Sequence, residues 1–338
     1  MRLPTRQQAR FASFGALLIA GAAMWIAAEP GILPGVAQTP AQAQGVVRAS
    51  DQFNGFDVSN ASIPQSEIRR GGPPRDGIPA ILEPKFVPVD EVDYLRPDDL
   101  VGALGRGPNA RAYPLRILVW HEIVNDTVAG QPVAMTYCPL CGTVMAFDRR
   151  AGGTTRTFGV SGLLYNSDVL MYDHQTESLW SQLAKRAVAG PALGVEMQWI
   201  PAQLMRWEAW RTQHPMGQVL STDTGHARDY NRAPYQGYEE TERLYFPVTE
   251  TRDDLPRKAW VVGVVVAGQP RAYPLAKLRE TGTLNDTVAG KSLTVSYDAE
   301  ASHAVVRDET GMEVPSVRVY WFAWQAFYPE TALVQGAA

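Results

Sequence analysis

The chain has 338 residues, 45% of them hydrophobic and 20% charged. This is the balance of a folded globular protein with room for two core-sized units. A formal net charge of −4 with no basic run argues against a nucleic-acid partner, and no charge block marks a disordered tail. The 29 glycines and 25 prolines suit many short strands and turns better than long helices.

Residues 1–43 read as a targeting segment. Arg2, Arg6 and Arg10 make a positive start, Ala12 to Ala28 is uncharged and mostly small or apolar, and Ala41-Gln42-Ala43 fits a small-residue cleavage site. The expectation is an exported protein, periplasmic or otherwise extracytoplasmic. If the segment is retained, residues 12–28 sit at the short limit for a membrane span and would anchor it. Either compartment favours oxidation of unprotected thiols. Residues 44–84, rich in Pro, Gly, Ala, Gln and Ser, read as an extended lead-in with little core of its own.

Two segments further on are near-copies. Arg111-Ala112-Tyr113-Pro114-Leu115 recurs as Arg271-Ala272-Tyr273-Pro274-Leu275, and Asn125 to Gly130 recurs as Asn285 to Gly290. Trp207 to Pro215 resembles Trp321 to Pro329 at a shorter offset, so only the first copy carries an insertion, within 150–200. The expected units are a first repeat at 85–215, a connecting segment at 216–257 and a degenerate second repeat at 258–330. Val133 to Tyr137 and Leu293 to Tyr297 are β-branched or apolar runs and read as strands. Asn-Asp-Thr-Val-Ala-Gly reads as a strand end turning at glycine. Each copy is expected to run strand, turn, strand, strand. A helix should follow, starting near Pro201 in the first copy, with Leu204, Trp207 and Trp210 at three-residue spacing and Pro215 as its stop. The predicted fold class is mainly β (α+β): two diverged repeats of a small sheet, each capped by a short aromatic helix.

The chemistry is concentrated in the first copy. Cys138 and Cys141, the only cysteines, lie in Tyr-Cys-Pro-Leu-Cys-Gly at 137–142. In the gapless alignment Cys138 faces Asp298, Cys141 faces Ala301, His121 faces Thr281 and Glu122 faces Gly282. The insertion adds Asn166, Asp168, Met171, Asp173, His174 and Glu177.

Three readings of Cys-x-x-Cys compete. In the first, the two thiolates grip a transition-metal ion, and glycine relieves the backbone of the turn. Two ligands are too few, so His121 is the leading third, with His174 and Met171 next. Two thiolates with imidazole suit zinc, and with a thioether they suit copper. In the second, the pair is a redox dithiol, though strands on both sides replace the strand-then-helix context of thioredoxin-like sites. In the third it is a structural disulfide, a weak staple because so short a loop removes little chain entropy. Glu122, Asn166, Asp168 and Asp173 are expected to line the site. Trp180, Trp207 and Trp210 are expected in the core. Ser161 lacks the spacing of a nucleophile elbow. His214, His226 and His303 have no evident partner in the sequence, and neither a substrate nor a protein partner is indicated.

His121 to Asp126, Thr136 to Gly142, Phe147 to Arg149, Gly159 to Asp173, Ser178 to Gln182 and the His-Pro pair at His214 together resemble the bacterial and archaeal domain-of-unknown-function family 3179. The resemblance covers roughly residues 85 to 330 with no departure at the motif positions, and implies no activity, since none is established for that family.

Overall fold

A computed structural model describes residues 52–334. The targeting segment, its cleavage site and the 12–28 run lie outside the described residues. Among those described, no helix is long and apolar enough to cross a membrane.

The fold is strand-rich with four short α-helices, as the composition predicts. In the first half, Leu100–Leu104 pairs antiparallel with Arg111–Pro114, which leads into the helix Leu115–His121. Then Ile123–Val128, Gln131–Cys138 and Thr143–Asp148 form an antiparallel meander. The first hairpin turns on Ala129 and Gly130, both at positive φ (50° and 79°). This is the backbone that matches the twist of paired strands, and glycine enters it freely.

The second half has the same order: Trp260–Val266, Gln269–Pro274, helix Leu275–Thr281, then Thr283–Val288, Lys291–Asp298 and His303–Asp308. The registers correspond residue for residue. Val101 pairs with Pro114 as Val261 pairs with Pro274; Val133 pairs with Asp148 as Leu293 pairs with Asp308. Gln203–Arg206 adds beside Leu100–Leu104 as Ser316–Tyr320 adds beside Trp260–Val266, and each runs into an aromatic helix, Trp207–Gln213 or Trp321–Phe327.

Two expectations change here. The aromatic helix begins at Trp207, not near Pro201, because Gln203–Arg206 is taken up as an edge strand. The helices Leu115–His121 and Leu275–Thr281 were not expected. Each follows a proline N-cap, and its buried residues recur at helical spacing (Leu118 and His121; Leu275 and Leu278).

The insertion builds its own sheet. Arg69–Arg70, Phe158–Tyr165, Asp168–Asp173, Leu179–Ser181 and Arg186–Ala189 lie side by side in that order. The lead-in is less separate than expected. Phe53, Phe56, Val58, Ile63 and Ile68 form one buried cluster with Leu163, Leu170 and Tyr172 of this sheet. A larger cluster joins Cys138, Leu140, Cys141, Phe158 and Trp180 to Val261, Tyr320, Trp321 and Trp324. The cysteine turn therefore sits where the first half, its insertion and the second half meet.

Candidate metal centre

The two cysteines are carried on the turn that closes Gln131–Cys138 onto Thr143–Asp148; Cys138 pairs directly with Thr143. The Gly142 amide donates to the Cys138 carbonyl at 2.9 Å, which closes the turn. Gly142 adopts φ +70°, and a Cβ there would lie 2.6 Å from Trp260 Cζ3. Glycine is required twice over: for the left-handed backbone and for the close approach of the indole. The Tyr320 amide donates to the Cys141 carbonyl at 3.0 Å, so the second half grips the turn from outside.

From the other side comes the tip of the insertion's first hairpin. Asn166 and Ser167 both take positive φ (50° and 63°), a two-residue turn between Tyr165 and its partner Asp168. Loop tips usually face water, but here Asn166 and Ser167 are 4% and 2% exposed. Asn166 Oδ1 accepts from the Thr249 amide and hydroxyl at 2.9 and 3.0 Å, and Ser167 Oγ donates to the Phe246 carbonyl at 2.7 Å. Pinned this way, the tip aims the Ser167 carbonyl at the thiols. Cys141 Sγ donates to it at 3.4 Å and Cys138 Sγ at 3.6 Å. Both cysteines are free thiols and both are buried.

The third member is Asp168, the residue after that tip. A carboxylate oxygen of Asp168 and the two sulfurs lie within 4.8 Å of one another, the one such metal-capable group among the described residues. Asp168 is fully buried. Its Oδ2 accepts the Leu183 amide at 3.0 Å and the Ser181 hydroxyl at 3.4 Å, whereas Oδ1 is buried with no hydrogen-bond partner. Burial pushes its pKa up to about 7, against the pull of the Leu183 amide and the Ser181 hydroxyl. Burial also pushes the Cys141 thiol well up, helped by the hydrogen bond and charge of Cys138. A buried polar chain starts at Thr143, the strand partner of Cys138. Thr143 Oγ1 donates to Gln182 Oε1 at 2.6 Å, Gln182 Nε2 to Thr136 Oγ1 at 2.8 Å, and Thr136 Oγ1 to the Met145 carbonyl at 2.8 Å.

Cys138 and Glu122 open onto a cavity of about 390 Å³. Glu122 follows the helix Leu115–His121 in the left-handed conformation (φ 57°, ψ −29°), where helices usually end on glycine. The second half places Gly282 there (φ 69°) with the same hydrogen bonds: each amide donates to the carbonyl four residues back, and each carbonyl accepts from Tyr137 or Tyr297. Glu122 is 6% exposed and makes no side-chain hydrogen bond to a described residue. Burial, then the charge of Asp168, pushes its pKa up to about 8.

The remaining sequence candidates lie elsewhere. His121 is outside the group, and Asp168 takes the place expected for it. Both imidazole nitrogens are already engaged, Nδ1 with the Pro79 carbonyl and Nε2 with the Tyr230 hydroxyl, each at 2.7 Å. Burial lowers the His121 pKa to about 4, so the ring is neutral and held as part of the packing. His174 is exposed and stacks on Tyr172 at 5.1 Å between ring centroids. Met171 is buried in the same apolar cluster as both cysteines, paired across strands with Val160 and Trp180. Asp173 serves the insertion: it accepts from Arg156 at 3.1 Å, from Trp180 Nε1 at 2.8 Å and from Thr176. Trp180, Trp207 and Trp210 are core residues, and the Ser161 hydroxyl donates to the Leu170 carbonyl.

Sequence reasoning missed the Ser167 carbonyl, the Thr136–Thr143–Gln182 chain, and the contribution of the 216–257 segment through Tyr235, Arg243, Tyr245 and Phe246, which line the cavity. Only the restriction of the insertion to the first copy pointed toward the first two, and no spacing pointed toward the third.

Comparison with curated proteins returns no match, and neither does comparison with solved structures. The family model described as "Protein of unknown function (DUF3179)" matches residues 75–331, and the chain belongs to that family.

Proposed function

We propose that this chain is an exported metalloprotein whose first half holds a transition-metal ion on Cys138, Cys141 and Asp168. The observation that carries the reading is the buried, unpartnered Asp168 Oδ1 beside two buried thiols. A buried carboxylate oxygen left without a partner is costly, and a cation is the partner that two thiolates also want. A tetrahedral ion with bonds of about 2.0–2.3 Å needs ligand atoms about 3.3–3.8 Å apart, a modest contraction of the arrangement present. With a carboxylate oxygen as third ligand in place of His121 or a thioether, zinc fits the donor set better than copper(I).

Three protein ligands leave the fourth position for water or substrate, as in catalytic rather than structural sites. Cys138 and Glu122 line one cavity, so Glu122 would be placed to exchange a proton with a molecule bound there beside the ion. The matching registers of the two halves support an origin by duplication, with the site kept in one copy only.

A second reading has its own support. Cys138 lines the cavity while Cys141 is fully buried, the arrangement of an attacking and a resolving thiol. One experiment separates the two. Protein taken from its native compartment without chelators should carry about one equivalent of metal, lost in Cys138→Ser/Cys141→Ser and reduced at least tenfold in affinity by Asp168→Asn. Metal-free protein holding a readily reducible Cys138–Cys141 disulfide would replace the metal reading with the dithiol one. N-terminal sequencing of the same sample tests export: a mature chain beginning near residue 44 supports a cleaved signal, and an intact Met1 points to a retained anchor.

A further inference from the structure

The cavity beside the cysteines has a chemistry of its own. Its walls are mostly apolar: Pro139, Leu140, Val160, Leu164 and Val169 from the first half and its insertion, with Ile78 from the lead-in. The 216–257 segment closes it with Tyr235, Tyr245 and Phe246. Only three lining side chains carry a charge or a reactive atom, and they are ordered by depth. Cys138 (1% exposed) and Glu122 (6%) lie at the inner end. Arg243 is exposed at the mouth next to Tyr245, which is 52% exposed, and forms no ion pair with another described residue. At about 390 Å³ the space falls within the range of small-molecule sites.

We propose that this cavity binds a small organic acid with an aromatic or aliphatic body. The apolar body fills the hydrophobic walls, its anionic end meets Arg243, and a single hydrogen-bonding atom at the inner end meets Glu122 beside the proposed ion. Each part of the ligand follows from one part of the wall. Apolar lining selects the body, because polar groups buried there would lose water without compensation. The guanidinium at the mouth selects the anion and fixes the direction of entry. Glu122 occupies a backbone position that suits glycine, and the corresponding residue in the second half is Gly282, so a carboxyl is held there at a cost that the helix end itself does not require. The proposal deepens the metal reading and rests on it only for what the inner end of the ligand encounters.

The test uses the full chain and the fluorescent acid 1-anilinonaphthalene-8-sulfonate as probe, with uncharged 1-anilinonaphthalene as its control. Expected are one saturable site per chain, at least tenfold weaker binding of the uncharged control, at least tenfold weaker binding of the acid to Arg243→Glu, and loss of binding in Ile78→Trp, which fills the cavity from a half-buried position. In Cys141→Ser, which removes a proposed metal ligand that does not line the cavity, the probe should still bind. Loss of metal there with binding retained supports both proposals, and binding retained in a protein that never held metal removes only the ion. Equal binding of the two probes would show a merely apolar hole and overturn the acid. Absence of a saturable site, or binding indifferent to both Arg243→Glu and Ile78→Trp, would overturn the cavity assignment altogether.

Discussion

Gly142→Ala puts the architecture of the cysteine turn to a quantitative test. Two penalties add at this residue. The first is conformational: a side chain at φ +70° costs about 1 kcal/mol relative to glycine. The second half bounds that figure, because the corresponding residue there is Ser302, a non-glycine at φ 52° that the fold accommodates. The second penalty is steric. The new methyl group would sit 2.6 Å from Trp260 Cζ3 and 3.3 Å from Tyr320 Cε2, and neither ring is free to swing away. Trp260 is packed on Tyr320 with ring centroids 4.1 Å apart, and the Arg318 guanidinium lies 4.6 Å from the centre of the indole. Overpacking of this kind costs about 1–3 kcal/mol, so the total is about 2–4 kcal/mol. Denaturant midpoints would measure it. Gly130→Ala serves as the control, since φ is +79° there but nothing lies within 4 Å, and it should cost only about 1 kcal/mol. In a Trp260→Leu background the Gly142→Ala penalty should fall back to the value for Gly130→Ala. Equal costs for Gly142→Ala and Gly130→Ala in the wild-type background would refute the claim that the second half holds the turn in place.

Three further outcomes are expected. Asp173→Asn should destabilise the protein by about 3–5 kcal/mol, because it strands the buried Arg156, while metal per folded chain stays unchanged; a loss of metal at intact stability would return Asp173 to the site. Glu122→Gly should raise the unfolding free energy by about 1 kcal/mol or more through relief of the left-handed strain, and a fall would make the carboxyl a structural group. The third concerns acid. The folded-state pKa of His121 is depressed from 6.5 to about 4, so the unfolded chain takes up the proton first. Its contribution is intact above about pH 6.5 and is lost as pH falls toward 4, amounting to about 2–3 kcal/mol after allowance for partial screening. His121→Gln should therefore lose less stability than the wild type between pH 7 and pH 4.5; parallel losses would refute the assignment.

The strands were readable because their residues alternate or run apolar between turn residues, and the repeated Asn-Asp-Thr-Val-Ala-Gly marked the same hairpin twice. The helix Leu115–His121 was not, because Ile117 and Val119 lend a seven-residue segment the look of a strand. Cys138 and Cys141 announced themselves by type and spacing. Asp168 was expected to line the site but not to join the two cysteines, since a carboxylate after a turn normally faces water. What brings it inward is a tertiary accident of the Asn166–Ser167 tip being pinned by Thr249 and Phe246, some 80 residues later in sequence. His121 stands outside the cysteine group for the same kind of reason: its partners, Pro79 and Tyr230, are distant in the chain.

The two halves also bear on what the cysteines are for. In the second half Asp298 stands where Cys138 does, and its Oδ1 accepts the amides of Glu300 and Ala301, each at 2.9 Å, so a carboxylate shapes that turn unaided. Both turns are docked alike: the Tyr320 amide donates to the Cys141 carbonyl, and the Arg206 amide to the Ala301 carbonyl. The turn thus forms without thiols, and its docking runs through backbone atoms that no side-chain exchange removes. Cys138→Ser/Cys141→Ser should accordingly fold, with an unfolding free energy within about 2 kcal/mol of the wild type, the cost of two buried hydroxyls that inherit the Ser167 carbonyl as acceptor. Serine is the informative replacement. Aspartate, although it occupies the corresponding position, is exposed at 298 and would be buried at 138, adding a charge to the pocket that already holds Asp168. If the serine variant is unfolded in the absence of metal, the thiols hold the fold together and the site is structural; if it folds and loses its ion, the cysteines are kept for chemistry.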